Sequence, residues 1–172
     1  MDKYIYFAAE MPMLKLDSEQ FSSTEDFLEE ARKWMTLADY SLLTDIVLDR
    51  YEAKKPYGIY SGFLEFEYVL RQELSNYRRA AKEGYEYKFI HIPPQLVKDG
   101  TPLDVEIQLM KYRWDWLDDQ EFGHYSDVNF FVLYYLKLQI LHRITIFKQE
   151  AGQEAFQALV TQNIEKTEEL LS

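Results

Sequence analysis

The sequence predicts an all-α protein, a single-domain helical bundle of about five to six helices with an extended connector near residues 85–100. Apolar residues recur at steps of three and four along most of the chain, which is the spacing of a helix face. Recognisable start and stop residues flank these stretches. A chain of 172 residues with 47% hydrophobic content can bury one ordinary core. We therefore predict one domain, 1–172, with helical subregions 1–83 and 101–172 joined by connector 84–100.

The first part of the chain predicts short elements. The opening segment YIYFAAEMPML is rich in aromatic residues and is read as a short helix or an extended segment. Ser23 or Thr24 can cap a helix, because two acidic residues follow in the position that the helix dipole favours. The apolar face of this helix comprises Phe27, Leu28, Ala31 and Met35. A second short helix is predicted from Leu42, Leu43, Ile46 and Val47, and is ended by Lys54, Lys55 and Pro56.

A long helix is predicted from Tyr57 to Lys82, with Gly84 as its C-cap. One face carries Ile59, Phe63, Phe66, Leu70, Leu74, Tyr77 and Ala81. Charged residues occupy the rest of the helix, including Glu67 four positions before Arg71. We interpret the acids Glu65, Glu67 and Glu73 as the solvated side of the helix. The alternative is a charge network with the later acidic segment.

The connector and the helix after it are marked by prolines. From Tyr85 to Lys98 the pattern alternates and then contains Pro93 and Pro94, which indicates extended chain. Thr101 is then a predicted N-cap, with Pro102 at the first helical position and an aspartate at the third. This helix runs through Trp116 and is stopped by Gly123.

The stretch from Val128 to Phe147 is almost continuously apolar, so it is either a membrane span or a buried helix. Four polar side chains interrupt it, namely Lys137, Gln139, His142 and Arg143. A charge at the centre of a span costs about 2.5–3.5 kcal/mol on insertion scales. We therefore predict a central buried helix, capped by Ser126 or Asp127. A last amphipathic helix follows Gly152, which is either a break or an interior residue of a longer helix; its apolar residues are Phe156, Leu159, Val160, Ile164 and Leu171.

Composition excludes several classes of function. The formal net charge is −11, so the basic surface that nucleic acids require is not expected. The chain contains no cysteine, which excludes disulfides, thiolate nucleophiles and cysteine metal ligands. The N-terminal apolar stretch is short and flanked by acids, unlike a signal peptide. A cytoplasmic protein is expected.

The segment from Asp104 to Asp127 is the main candidate for a functional surface. It holds seven acidic and two basic residues, a net charge of −5. A solvated acidic face is the simplest interpretation, and a docking face for a basic partner is the alternative. Glu121 and His124 have the E-x-x-H spacing of metal ligands on a helix, although a di-iron bundle needs two such motifs. No phosphate-binding loop, nucleophile elbow or zinc-protease motif is present. We predict no catalytic, cofactor-binding or metal-binding residues.

Tryptophans can anchor interfaces, but burial in the core is the simpler reading for Trp34, Trp114 and Trp116.

Three segments carry a resemblance to a known family. These are the opening YIYFAAEMPML with Met11-Pro12, FEYVLRQELSNYRRA at residues 66–80, and the motif R-W-x-x-L-D-x-x-E-x-G-H-Y. The motif is formed by Arg113, Trp114, Leu117, Asp118, Glu121, Gly123, His124 and Tyr125. A later F-x-x-E-x-G-x-x-x-F pattern consists of Phe147, Glu150, Gly152 and Phe156. Along its whole length the chain resembles an uncharacterised bacterial family encoded among V-type ATPase genes, where the gene for the C-type component of the central stalk is expected.

This resemblance implies a noncatalytic interaction or assembly component of a V-type rotary ATPase, similar to the C-type component of the central stalk, a helical socket between the rotor axle and the membrane ring. Its partners would be protein subunits of the ATPase, at the inner face of the membrane and without direct membrane insertion. The candidate interaction or signature residues are Arg113, Trp114, Asp118, Asp119, Glu121, His124 and Tyr125. Two alternatives stay open: a stand-alone accessory binding protein, and a small helical metal-dependent enzyme that uses Glu121 and His124.

Overall fold

A computed structural model describes residues 4–18, 20–48 and 58–171, with side chains as far as Gln149 and at residues 152 and 153. The described residues form helices joined by loops, and no strand occurs among them. In chain order the helices are α1 (Ile5–Glu10), α2 (Thr24–Trp34), α3 (Leu37–Thr44), α4 (Gly58–Glu83), α5 (Gln95–Lys98), α6 (Pro102–Asp119) and α7 (Val128–Leu171). The all-α prediction is confirmed. The described helices number seven, against the five to six predicted, and two of them, α1 and α5, are short.

Helix α7 forms the centre of the bundle. Helices α2, α3, α4 and α6 all contact it. Its segment Val128–Gln149 is long and apolar enough to cross a membrane, but 61% of its apolar window is buried within the protein. Phe131, Leu136, Leu138 and Ile140 have no solvent exposure. The prediction of a core helix is therefore confirmed, because the other helices cover its apolar surface.

Local capping signals identified three helix starts correctly. The Ser23 hydroxyl accepts a hydrogen bond from the Asp26 N–H at 3.0 Å, at the start of α2. Thr101 forms a reciprocal capping box with Asp104, at the start of α6. Asp127 Oδ1 accepts the Phe130 N–H at 3.0 Å, at the start of α7. Each cap satisfies a backbone N–H that has no partner within its own helix.

Several predicted boundaries need correction. Helix α3 starts at Leu37, where Thr36 caps it, and it ends at Thr44. Ile46 and Val47 therefore follow the helix, and only Ile46 is buried. Gly152 lies inside α7. The predicted stop at 54–56, and the side chains of the apolar residues from Phe156 to Leu171, lie outside the described residues.

Helix α4 and its C-cap agree with the prediction to within one residue. Gly84 has a φ of +78°, and the Tyr85 N–H donates to the Ala80 carbonyl at 3.1 Å. A residue in this left-handed conformation ends a helix at low cost when it is glycine.

The interpretation of the acids of α4 as a solvated face was wrong for two of the three. Glu65 is exposed, but Glu67 and Glu73 are each only 3% exposed. Glu67 binds arginines of α4 and α6, and Glu73 binds the connector. Buried carboxylates are stable only with such partners. Periodicity did not reveal them, because the partners are distant in sequence.

The connector has no regular secondary structure from Tyr85 to Phe89, bends at residues 90–92, and then contains the single turn of α5, which the prediction of extended chain did not include. The Lys98 N–H donates to the Pro94 carbonyl at 3.1 Å and closes this turn. Leu70, Leu74, Ile92 and Leu109 form a second small core beneath the connector.

The chain before α2 is held on the bundle by α1. The Tyr4 N–H donates to the Ser126 carbonyl at 2.9 Å. The ring of Phe7, fully buried, stacks on Phe131 of α7 with ring centroids 4.5 Å apart. This packing brings the loop after α1 beside the turn between α6 and α7.

Candidate functional site

A pocket of about 570 Å³ lies between the loop after α1, the end of α6, the turn between α6 and α7, and the start of α7. A volume of this size is typical of ligand-binding pockets. Its apolar wall consists of Met11, Pro12, Met13, Leu14, Leu16, Trp114, Phe130 and Tyr134. Its polar residues are Lys15, Asp118, Glu121, His124, Tyr125 and Lys137. Five of the seven residues predicted from the sequence thus line one pocket.

Lys137 is the buried charge of the pocket. Its side chain projects from the apolar helix α7 and is 4% exposed. Its ammonium group donates to Asp118 Oδ1 and to Glu121 Oε1. The same nitrogen lies 5.0 Å from the centroid of the Trp114 ring, a distance suited to a cation–π interaction. These three partners explain why a lysine is tolerated inside a core helix.

The turn after α6 brings the two carboxylates together. Gln120 and Glu121 donate their N–H groups to the carbonyls of Leu117 and Asp118, both at 3.1 Å, and this ends the helix tightly. Asp118 and Glu121 are three residues apart, and this turn places both of their carboxylates against Lys137. Each carboxylate side chain remains about half exposed, at 49% and 50%. The open polar edge of the pocket is therefore negatively charged.

Glu121 and His124 bind different partners despite their E-x-x-H spacing. Glu121 pairs with Lys137, whereas His124 Nδ1 lies 2.7 Å from Asp127 Oδ2. The other oxygen of Asp127 caps α7. Among the residues described, no group of three or more histidine, aspartate or glutamate side chains could hold a metal ion. His124 thus joins the turn to the start of α7.

Arg113 and Asp119, the other two predicted residues, lie outside the pocket. Arg113 is 6% exposed, and its Nε donates to Glu67 Oε1 at 2.5 Å. Arg71 donates to the other oxygen of Glu67 at 2.9 Å. This buried ion pair joins α6 to α4 and is structural. Asp119 is exposed on α6.

The rim of the pocket carries exposed hydrophobic side chains. Met13 is 83% exposed, Phe122 is 90% exposed and Tyr125 is 65% exposed. Met13 and Tyr125 line the pocket, and Phe122 lies in the same turn as Glu121. We call these three residues the pocket rim. Phe122 and the wall from Met11 to Leu16 were not predicted as functional.

Lys137 was also missed, although the sequence contained a signal for it. A lysine within a core helix requires acidic partners, and the acids of the preceding segment were the nearest candidates.

Tyr134 joins the two walls of the pocket. Its hydroxyl donates to the Pro12 carbonyl at 3.1 Å, so it ties the loop after α1 to α7. Burial raises the pKa of Tyr134 to about 12, above the usual value of about 10, so its hydroxyl keeps its proton further into the alkaline range. Its role is to hold the wall in place.

The three tryptophans differ in exposure. Trp114 is buried beneath Lys137, and Trp116 is half-buried against Phe66, with ring centroids 5.3 Å apart. Trp34 is 41% exposed, and its Nε1 donates to Glu30 at 3.0 Å. Core packing therefore accounts for Trp114 and Trp116.

A second cavity of about 480 Å³ lies between α4, the connector and α6. Its ionisable residues are Glu65, His91 and Tyr112. The Tyr112 hydroxyl already donates to the His91 carbonyl at 3.3 Å. Burial is the main cause that raises the pKa of Tyr112, and the nearby charge of Glu73 adds to it. This cavity has no cluster of opposed charges comparable to that around Lys137.

The chain matches the model of a known family over part of its length. The model of a family described as "Protein of unknown function (DUF2764)" matches residues 94–167. The matched region contains α5, α6 and the pocket residues from Trp114 to Lys137, but not the wall from Met11 to Leu16. No curated protein and no solved structure matches the chain. The family description assigns no activity, so function has to be argued from the pocket.

Proposed function

We propose that this protein is a noncatalytic interaction or assembly component of a V-type rotary ATPase, with a role similar to that of the C-type component of the central stalk. The pocket and its rim would be the contact surface. The observation that carries this proposal is an apolar pocket with a negative edge, lined in part by the exposed side chains of Met13 and Tyr125, with the exposed Phe122 in the adjoining turn. The link to the ATPase rests on the family resemblance of the opening segment, of residues 66–80 and of the motif from Arg113 to Tyr125.

The rim supports a protein-binding role. Single exposed hydrophobic residues are common on soluble proteins, but a group of them around a cavity is typical of an interaction site. Tyrosine is enriched among residues that dominate binding energy, and methionine adapts to varied partners. Met13, Phe122 and Tyr125 therefore combine a rigid aromatic surface with an adaptable one.

The charges of the pocket favour binding over catalysis. Lys137 is engaged by Asp118 and Glu121, and His124 is engaged by Asp127. These ion pairs join α6, the turn and α7, so Lys137, Asp118, Glu121 and His124 each have a structural partner. No serine or threonine occurs among the described residues that line the pocket. An activated serine or threonine hydroxyl beside a base is therefore not found among these residues.

The experiment is copurification from native membranes with a tagged full-length protein. Wild type is expected to retain ATPase subunits, and the Phe122→Ala/Tyr125→Ala variant is expected to retain about ten-fold less, the size of effect given by one interface hot spot. Tyr68→Ala is the matched control, because Tyr68 is also 65% exposed but lies on α4 away from the pocket. Circular dichroism checks that each variant folds.

Two results would contradict the proposal. The first is that wild type retains no ATPase subunit, which would favour the stand-alone accessory protein instead. The second is that Tyr68→Ala reduces retention as much as the rim variant does, which would place the contact elsewhere on the surface.

A further inference from the structure

We propose that the pocket binds a basic side chain, arginine or lysine, of a partner protein. Asp118 and Glu121 would bind its charged end, and the apolar wall would bind its aliphatic stem. This inference rests on the proposed function, because it takes the pocket to be a protein-contact site. It adds the chemical class of the group that enters.

The first argument is the charge that remains after the internal ion pairs form. The single positive charge of Lys137 faces two carboxylates, which leaves one negative charge in excess. Lys137 binds Oδ1 of Asp118 and Oε1 of Glu121. The second oxygen of each carboxylate forms no hydrogen bond with another described residue, and both side chains are half exposed. Two acceptors are thus available at the pocket edge.

The second argument is the shape and polarity of the cavity. Arginine and lysine have long aliphatic stems that pack on apolar surfaces while their charged ends reach polar groups. Leu14, Leu16, Phe130 and Tyr134 provide such a surface beside the carboxylates. A volume of about 570 Å³ also leaves room for a neighbouring apolar side chain of the partner.

The third argument is electrostatic selection. The segment from 104 to 127 has a net charge of −5, and the whole chain has −11. Such a surface repels acidic partners and raises the association rate of basic ones.

Lys15 is the one basic residue of the pocket without a described ion pair, and it lies on the opposite wall. Its charge should weaken the binding of a basic side chain.

The test is a titration of ¹⁵N-labelled full-length protein, followed by NMR. The probe is the blocked peptide acetyl-Leu-Arg-Leu-amide, and its control contains citrulline, which keeps the shape of arginine but has no charge. We expect the arginine peptide to shift the Trp114 indole signal and the backbone amides of Asp118 and Glu121. The citrulline peptide is expected to bind about ten-fold more weakly, as for the loss of one charge-assisted hydrogen bond.

Variants locate the binding charge. Glu121→Gln is expected to weaken the arginine peptide about ten-fold. Asp115→Asn changes the net charge equally at an exposed position of α6 outside the pocket, and is expected to have less than about a two-fold effect. Lys15→Gln is expected to bind at least as tightly as wild type. If Glu121→Gln loses its dispersed spectrum, Asp118→Asn takes its place.

Equal binding of the arginine and citrulline peptides would overturn the inference, and so would equal effects of Glu121→Gln and Asp115→Asn. These outcomes are separate from failure of the proposed function. If ATPase subunits are retained and the rim variant loses them, but the arginine and citrulline peptides bind equally, only the claim that a basic side chain enters the pocket is rejected. Preference for arginine without retained ATPase subunits would reject only the association with the ATPase.

Discussion

The carboxylate of Glu73 holds the connector against α4 through three backbone N–H groups. Its Oε1 accepts from Ile90 and His91, and its Oε2 accepts from His91 and Ile92, the latter two at 2.9 Å. Glu73 is 3% exposed and Ile92 is 4% exposed. We predict that Glu73→Gln and Glu73→Ala destabilise the protein by different amounts, because they remove different numbers of acceptors.

The magnitudes follow from the acceptors that remain. Glutamine has one carbonyl oxygen, which would face the buried N–H of Ile92, so its NH₂ group would face Ile90 and could not accept. Hydrogen bonds to charged groups contribute about 1.5–3 kcal/mol and neutral ones about 0.5–1.5 kcal/mol. We expect Glu73→Gln to lower the free energy of unfolding by about 2 kcal/mol. Alanine leaves the buried Ile92 N–H unpaired and also removes the acceptor of the Ile90 and His91 N–H groups, which belong to exposed residues, for a loss of about 4 kcal/mol.

The assay is urea unfolding followed by circular dichroism, combined with hydrogen exchange of the amides of residues 90–92. Glu65→Gln is the matched control, because it makes the same change at an exposed position of the same helix. It also reduces the overall negative charge equally, and should change stability by less than about 0.5 kcal/mol. The reasoning is refuted if Glu73→Gln resembles this control, or if the three amides exchange as fast in wild type as in the variants.

Three further predictions concern stability. Because burial raises the pKa of Tyr134 to about 12, above the usual value of about 10, the contribution of Tyr134 to the unfolding free energy should be constant below about pH 10 and fall as pH rises toward 12. The decrease should be smaller in Tyr134→Phe, as measured by urea unfolding at a series of pH values. Glu67→Gln removes the carboxylate that two arginines share, and should cost about 3 kcal/mol by urea unfolding against the same exposed control. Gly100→Ala should lower the thermal midpoint more than Gly84→Ala: both positions have positive φ, but only at Gly100 would the new Cβ meet Asp104, at 2.8 Å.

Interactions within a few residues explain why much of the fold could be predicted. The caps formed by Ser23, Thr101 and Asp127 each bind an N–H group three residues later, so the pattern is visible in a short stretch of sequence. The apolar periodicity of α4 is equally local. Errors occurred where this information was weak. Helix α3 starts at Leu37 after a threonine cap, but no clear apolar stripe follows that cap in the sequence.

The candidate site was predictable only in part. The sequence drew attention to Trp114, Asp118 and Glu121 through their acidic and aromatic pattern, but it gave no indication that a pocket joins them. Lys137, which organises the carboxylates, follows Asp118 by 19 positions. The opposite wall is more distant still, since Tyr134 reaches Pro12 across 122 positions. No periodic or capping rule relates residues at such separations.

Composition and local pattern alone therefore established an acidic, all-α chain with a buried central helix, because helix formation depends on neighbours within one or two turns. Three-dimensional packing was needed to distinguish buried from solvated acids, as Glu67 and Glu73 differ from Glu65 only in what lies opposite them. It was also needed to form the pocket, whose walls come from residues 11–16 and from residues 114–137. The reason is physical: a buried charge is stabilised by partners in space, and their position in the sequence does not matter.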